Sequence, residues 1–216
     1  MIVLAVNTAT SVLSVALAKD GETLFFYSTS ETRDQGNLLL RHIRQGLDDN
    51  KLDYADLDLL AVVTGPGSFT GIRIGLAAMR GIALAAGKPI VGFSSFELFA
   101  HAAPRGKTNI VAVESWREEL YFRCGDADPV NVPPQDFAAM LDANADYSLT
   151  GDAAHKLAPF MPRAVVAEDI ADARHLAALA QRAQITGDKP VPYYLRPADI
   201  TLSGTVHRKV GQEGNG

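Results

Sequence analysis

The stretch Thr64-Gly65-Pro66-Gly67-Ser68-Phe69-Thr70-Gly71-Ile72-Arg73-Ile74-Gly75 decides the fold of this chain. It follows an apolar run, Leu59 to Val63, whose length and composition predict a buried strand. It opens a segment of helical periodicity that is predicted to run from about Ser68 to Ala86. Gly65 and Gly67 permit backbone conformations that other residues avoid, so they suit a tight turn between the two elements. The sequence therefore predicts a strand, a glycine-rich turn and a long helix in direct succession.

The turn has two interpretations. A helix that begins after such a turn presents free N–H groups to an anion, so the turn could hold a phosphate. A Walker loop, however, needs a lysine after its last glycine, and the dinucleotide fingerprint needs a shorter glycine spacing than the one found here. Pro66 also removes one N–H donor. The other interpretation is a tight turn whose helix is capped by Ser68 or Thr70, and the residues alone leave both open.

The long helix contains three glycines, Gly71, Gly75 and Gly81. Each costs about 0.5–1 kcal/mol relative to alanine, so some other gain must offset them. Small residues four positions apart let a second helix come close, an effect best known in membranes. A neighbouring stripe of larger residues can pack on the sheet; it consists of Ile72, Leu76, Met79 and Ala83. The pattern predicts two contact faces, the second of which meets either another part of this chain or another protein.

Composition narrows the class of protein. The chain has 216 residues and a net charge of −5, which argues against a nucleic-acid binder that acts alone. Cys124 is its one cysteine, so no internal disulfide is expected, and a reducing cytoplasm is predicted. The first apolar run, Ile2 to Val6, is too short for a signal peptide or a membrane span. Arg73 and Arg80 interrupt the long helix, which favours a soluble protein.

The two halves of the chain show the same order of elements. The first half predicts strands at 2–7, 12–18, 23–29, 59–63 and 90–93, with helices at 34–49, 68–86 and about 94–102. The second half predicts strands at 109–113, 119–124 and 146–150, with helices at 133–141, after Gly151-Asp152, and at 172–184. This echo predicts a duplicated α/β unit. The lobes are expected at 1–102 and 107–200, and 201–216 is expected to be a flexible tail.

Three segments make the chain resemble a known family. They are Val6-Asn7-Thr8-Ala9-Thr10, the run from Gly65 to Gly75, and Pro192-Tyr193-Tyr194-Leu195-Arg196-Pro197. Together they are similar to the TsaB (YeaZ) family, and the likeness spans roughly residues 1–200. The resemblance implies an α/β protein with two related lobes of the actin/Hsp70/sugar-kinase-like fold, each a mixed sheet flanked by helices. It also implies a bacterial, non-catalytic scaffold or activating subunit.

The resemblance implies partners as well. The chain would bind a homologous TsaD-like catalytic subunit, which transfers threonylcarbamoyl to the tRNA adenosine beside the anticodon. A TsaE-like ATPase subunit would complete the complex, tRNA would be contacted only through it, and no membrane is implied. A homodimer through the first-lobe helices is also expected. The predicted interface residues are Leu39, Ile43, Gly71, Arg73, Gly75, Ala78 and Met79.

A nucleotide site is the competing expectation. Ligands of such folds lie where loops meet at strand ends; the residues that could face a nucleotide are Asn7, Thr8, Thr10, Gly65, Gly67 and Ser68. The resemblance leads one to expect an aspartate at position 7, and an amide there binds Mg²⁺ less well. No two of the five histidines are four residues apart, so no metal site is predicted. The resemblance also implies that the chain has no catalytic residue. The chain would have no cofactor of its own, with ATP or ADP at a subunit interface. The alternative function is an autonomous nucleotide-dependent small kinase or ATPase of the same fold.

Three further features have two interpretations each. Glu114, Glu118 and Glu119 are either an acid–base group or solvated carboxylates beside a hairpin. Trp116, next to Arg117, either stacks on a ring or base or covers part of the core. Arg73 lies near the helix start, where a cation opposes the helix dipole, so it either meets a carboxylate or phosphate or is simply solvated.

Overall fold

The computed structural model describes residues 1–31, 34–167 and 171–195. The predicted tail at 201–216 and the end of the 192–197 segment lie outside the described residues. Five strands form the first sheet: β1 (Ile2–Asn7), β2 (Leu13–Lys19), β3 (Glu22–Thr29), β4 (Leu59–Gly65) and β5 (Ile90–Ser94). Their spatial order is β3-β2-β1-β4-β5. The pairs β1–β2 and β2–β3 are antiparallel, whereas β1–β4 and β4–β5 are parallel.

The second sheet repeats this arrangement. Its strands are β6 (Thr108–Val113), β7 (Leu120–Cys124), β8 (Val130–Val132), β9 (Tyr147–Thr150) and β10 (Val165–Val166). Their order is β8-β7-β6-β9-β10, with antiparallel pairs on one side of β6 and parallel pairs on the other. Both sheets are therefore mixed and share one topology, which confirms the predicted α/β fold of two related lobes.

Six α-helices lie among the described residues: α1 (Gln35–Asp49), α2 (Phe69–Ala86), α3 (Ser95–His101), α4 (Pro134–Ala139), α5 (Ala154–Leu157) and α6 (Ala173–Ala180). The helices α1 and α2 pack on the first sheet, and α3 contacts strands of both sheets. Alternate residues of β6 belong to different cores. Val111 and Val113 lie in the first, whereas Ile110 and Ala112 lie in the second. The two sheets are thus joined by buried apolar contacts.

The structure differs from the predicted elements in three places. The strands β8 and β10 were not predicted, because runs of three and two residues are too short to show a period. The last helix ends at Ala180 instead of Gln184. The helix α6, which the prediction assigned to the second lobe, packs on β1, β2 and β4 of the first sheet. Its apolar side completes the first core.

Candidate functional site

The glycine-rich turn is a capped turn from β4 into α2. Gly65 and Gly67 have φ angles of 114° and 151°, which a residue with a side chain rarely adopts. Ser68 is the N-cap, and its Oγ accepts a hydrogen bond from the N–H of Gly71 at 3.1 Å. Of the two capping candidates the structure uses Ser68, whereas Thr70 lies exposed in the first turn.

The turn and α2 pack directly on the segment that follows β1. A Cβ atom on Gly67 would overlap the carbonyl oxygen of Ala9, and one on Gly71 would overlap that of Thr8. At Gly75 it would overlap the Thr8 hydroxyl. The Thr8 Oγ1 donates to the carbonyl of Gly71 at 2.7 Å, and the N–H of Ser68 donates to that of Ala9 at 2.7 Å. These glycines therefore serve a close approach within this chain.

Most residues of the predicted partner interface are buried within this chain, and the interface itself stays a prediction. Besides Gly71 and Gly75, the side chains of Leu39, Ile43 and Met79 are buried in the first core. Of the seven residues only Arg73 is exposed, and Ala78 is half-buried. The physical reason is helical phase, because Gly71 and Gly75 lie beside the larger apolar stripe on the buried face of α2. The side of α2 that stays exposed carries Ala77, Gly81, Leu84 and Ala85.

Three of the six residues predicted to face a nucleotide lie buried in the turn after β1. Asn7, Thr8 and Thr10 are at most 2% exposed. The Asn7 Oδ1 accepts from the N–H of Ala9 at 3.0 Å, and its Nδ2 donates to the Thr10 Oγ1 at 2.7 Å. These hydrogen bonds therefore shape the turn. Of the other three, Gly65 ends β4, whereas Gly67 and the N-cap Ser68 are half-buried.

In the second lobe, Glu114 organises the turn after β6. The carboxylate is buried, and its Oε1 accepts from the N–H groups of Ser115 at 3.1 Å and Trp116 at 2.8 Å. Its Oε2 forms an ion pair with Lys156. Glu114 is thus not a solvated carboxylate, so that interpretation is wrong for it, and the acid–base interpretation stays a prediction.

Asp152 joins the two lobes, and sequence reasoning missed it. Its Oδ2 accepts from the N–H of Ser11 in the first lobe at 2.7 Å, and its Oδ1 accepts from the N–H of Glu114 in the second at 2.9 Å. Burial raises the pKa of the Asp152 carboxyl, and the two hydrogen bonds offset part of that effect. The sequence feature that could have indicated Asp152 is the preceding Gly151, which comes after β9 as Gly67 comes after β4. A Cβ there would overlap the carbonyl of Ala112, just as one on Gly67 would overlap that of Ala9.

Several N–H donors of the loops between the lobes are bound within this chain. Asp152 accepts from Ser11 and Glu114, the Glu114 carboxylate accepts from Trp116, and Asn7 accepts from Ala9. A phosphate beside Asp152 and Glu114 would face two carboxyl groups. Within residues 1–31, 34–167 and 171–195, no group of three or more His, Cys, Asp or Glu side chains is arranged to hold a metal ion.

Arg73 belongs to an exposed cluster with Phe69 and Tyr194. Its guanidinium lies 3.7 Å from the ring centroid of Phe69, and its Nε donates to the Tyr194 hydroxyl at 3.2 Å. The N–H of Tyr193 donates to the carbonyl of Thr64 at 2.8 Å. Two of the three segments that carry the family resemblance are thus in contact, and Arg73 meets the Phe69 ring and the Tyr194 hydroxyl.

Two lobes of one topology, joined end to end, define the class as an α/β protein of the actin/Hsp70/sugar-kinase-like fold. The solved ethanolamine utilization protein EutJ from Carboxydothermus hydrogenoformans shares this fold, with a TM-score of 0.50 at 11% identity over 83% of this chain and 89% of its own. The sequence matches, over residues 32–207, the family model of TsaD, described as tRNA N6-adenosine threonylcarbamoyltransferase. The chain belongs to this family, as a TsaB (YeaZ) homologue.

Relatives agree with this assignment. The chain is 34% identical over 125 residues to the tRNA threonylcarbamoyladenosine biosynthesis protein TsaB of Escherichia coli K12, covering 56% of this chain and 54% of that protein. The chain thus spans about half the length of the curated TsaB proteins it matches. Solved YeaZ from Pseudomonas aeruginosa has a TM-score of 0.73 and 27% identity, covering 90% of this chain and 99% of its own.

One helix among the described residues, α2, is long and apolar enough to cross a membrane by length and composition. Core helices of soluble proteins meet the same criterion. Here Ile72, Leu76 and Met79 on α2 are buried in the first core.

Proposed function

We propose that this chain is a non-catalytic subunit that binds a related TsaD-like catalytic subunit and supports threonylcarbamoyl transfer to the tRNA adenosine beside the anticodon. One observation carries the non-catalytic part. Three N–H donors of the loops between the lobes are bound by this chain's own Asp152 and Glu114 carboxylates, which disfavours a nucleotide there. Family membership supports the place in tRNA modification, since relatives from two bacteria are named tRNA threonylcarbamoyladenosine biosynthesis protein TsaB.

The exposed side of α2 is where we place the partner. Ala77, Gly81 and Ala85 lie four residues apart along it, and a Cβ on Gly81 would meet no atom within 4 Å. Leu84 beside them is 80% exposed. Shallow cavities of about 490 and about 420 Å³ flank this side; Tyr54 and Ile82 line the first, and Lys88 and Pro89 the second. We call this the α2 outer face, and its low relief suits the close approach of another helix.

The remaining parts of the assembly follow from the same proposal. A TsaE-like ATPase joins the pair in the cytoplasm, and a second copy of this chain competes for the α2 outer face in a homodimer. Transfer RNA is contacted only through the complex. Any ATP or ADP of the complex lies at an interface between subunits.

The first test is pairing. We expect Gly81→Arg to weaken binding of the TsaD-like subunit of the same organism at least about tenfold, because a long charged side chain would stand in the apolar contact. Affinity is measured by isothermal titration, and thermal unfolding of each variant checks the fold. The matched control is Ala139→Arg, also an exposed small residue of a helix, but in the second lobe. Equal binding by both variants would show that the α2 outer face is not the interface.

A second test addresses the alternative of a small kinase or ATPase. We expect titration of the lone subunit with ATP and Mg²⁺ to show no heat of binding, since the inter-lobe donors are already used. Tight, metal-dependent binding with turnover would support the enzyme and contradict the proposed role.

A further inference from the structure

Trp116 is the single tryptophan of the chain, and its placement is unusual. It is 52% exposed in the turn that follows β6. Its backbone has a φ of 58°, in the left-handed region that bulky residues avoid. Among the described residues, the structure gives the indole no hydrogen-bond or ring partner. A large apolar side chain is therefore held out to solvent at a cost to the backbone.

Buried groups hold this strained turn in place. Glu114 binds the N–H groups of Ser115 and Trp116 and pairs with Lys156, so one carboxylate fixes the backbone of Trp116 and of the residue before it. The Ser115 hydroxyl donates to the carbonyl of Glu119, which closes the turn from its other end. A left-handed residue costs on the order of 1–3 kcal/mol, and such strain persists where surrounding contacts determine it, most often at functional sites. The indole is thus pre-organised before any contact is made.

Two simpler roles fit less well. A tryptophan that only covers the core would be more deeply buried and would need no left-handed backbone. A platform for a nucleic-acid base would need cationic surroundings to receive the phosphates. The segment 114–119 instead carries three glutamates and one arginine, so acidic side chains still outnumber basic ones when Lys156, the partner of Glu114, is included. The local charge favours a protein surface over RNA.

We propose that Trp116 is an anchor that inserts into an apolar pocket on the TsaD-like partner, one that is edged by basic side chains facing Glu118. The inference depends on the proposed function for the identity of the partner. The partner would then contact this chain at two places, the α2 outer face of the first lobe and Trp116 of the second lobe. A rigid exposed tryptophan is the side-chain type most enriched among residues that dominate binding energy, because it buries a large area at little cost in side-chain entropy.

The single tryptophan makes the test direct. Chain labelled with 5-fluorotryptophan gives one fluorine resonance, which belongs to residue 116. We expect the resonance to shift and lose solvent exposure when unlabelled TsaD-like subunit is added, and to stay unchanged with unlabelled tRNA alone. We further expect Trp116→Ala to weaken the affinity for that subunit about 30-fold.

Two variants keep the test decisive. Trp116→Gly removes the indole and relieves the left-handed strain, so it separates loss of the anchor from loss of fold. Met140→Ala is the matched control, because Met140 is another large apolar side chain of the second lobe, 67% exposed. A complex that forms while the resonance and the Trp116→Ala affinity stay unchanged overturns the anchor alone. A shift with tRNA alone assigns Trp116 to nucleic acid and also overturns it. Failure to form any complex contradicts the proposed function and this inference together.

Discussion

Asp152 shows how one carboxylate can connect turns from the two lobes. It lies 141 positions from Ser11 in sequence, yet the two are joined by a hydrogen bond of 2.7 Å. The partner N–H groups come from turns that are equivalent in the two lobes, after β1 and after β6. A single side chain from the turn after β9 therefore fixes the distance between them.

Asp152 should make stability depend on pH in a predictable direction. Because burial raises its pKa above the unfolded value of 3.8, the folded chain binds the proton more tightly than the unfolded chain. Its contribution to the free energy of unfolding is then largest at acid pH and declines as pH rises through the folded pKa. Asp152→Asn removes this term. The difference in unfolding free energy, wild type minus variant, should fall as pH rises from about 4 to neutral, measured by urea denaturation.

The control for this experiment is a buried polar group that does not titrate. Ser148 on β9 is fully buried and hydrogen bonded to Asn109, so Ser148→Ala should cost stability by an amount that does not vary with pH. A wild-type advantage over Asp152→Asn that instead grows towards neutral pH would mean that the hydrogen bonds outweigh desolvation. The pKa of Asp152 would then be lowered in the folded chain.

At the scale of the element, α2 shows how far the spacing of its glycines predicts their contacts. Spacing alone indicates that small residues share a side of the helix, and that part of the prediction holds. Spacing does not say what meets them, since a chain segment 63 residues away supplies the contact between Thr8 and Gly71. The larger stripe, by contrast, could be assigned to the sheet because an amphipathic helix must bury its apolar face.

Two substitutions on α2 should have opposite effects. Gly71→Ala should destabilise the protein by about 1–3 kcal/mol, because the new methyl group would overlap the Thr8 carbonyl oxygen. Gly81→Ala should stabilise it by about 0.5–1 kcal/mol, because the methyl enters open space and alanine favours the helix. Urea denaturation of both variants is the measurement. Stabilisation by Gly71→Ala would mean that α2 does not pack on the segment after β1.

Across the whole molecule, the architecture could be predicted from the sequence, but the contacts between the lobes could not. The repeated order of elements was sufficient to predict two related mixed-sheet lobes, because hydrophobic periodicity and turn residues report local structure directly. The docking of α6 on the first sheet was not predictable in the same way. Periodicity shows that Leu176 and Ala177 share a buried face, but it does not identify the sheet that buries them. The role of Asp152 was not predicted for a related reason. The two N–H groups that donate to its carboxylate come from turns that are far apart in sequence.

The docking of α6 makes the first lobe depend on a helix from the far end of the described chain. Leu176 is fully buried in the first core, together with residues of β1 and β4. Leu176→Ala should cost about 2–5 kcal/mol, because it leaves a cavity between α6 and the first sheet. Amide hydrogen exchange under native conditions should then accelerate in β1, β2 and β4 more than in β6 and β9.

Leu157→Ala is the matched comparison for the Leu176 variant, because Leu157 is equally buried but in the second core. The same measurement should show the reverse pattern for it, with faster exchange in β6 and β9. If Leu176→Ala instead accelerated exchange first in the second sheet, α6 would stabilise the second lobe, which precedes it in the sequence. The two lobes would then be held together by α3 and Asp152 without a helix exchanged between them.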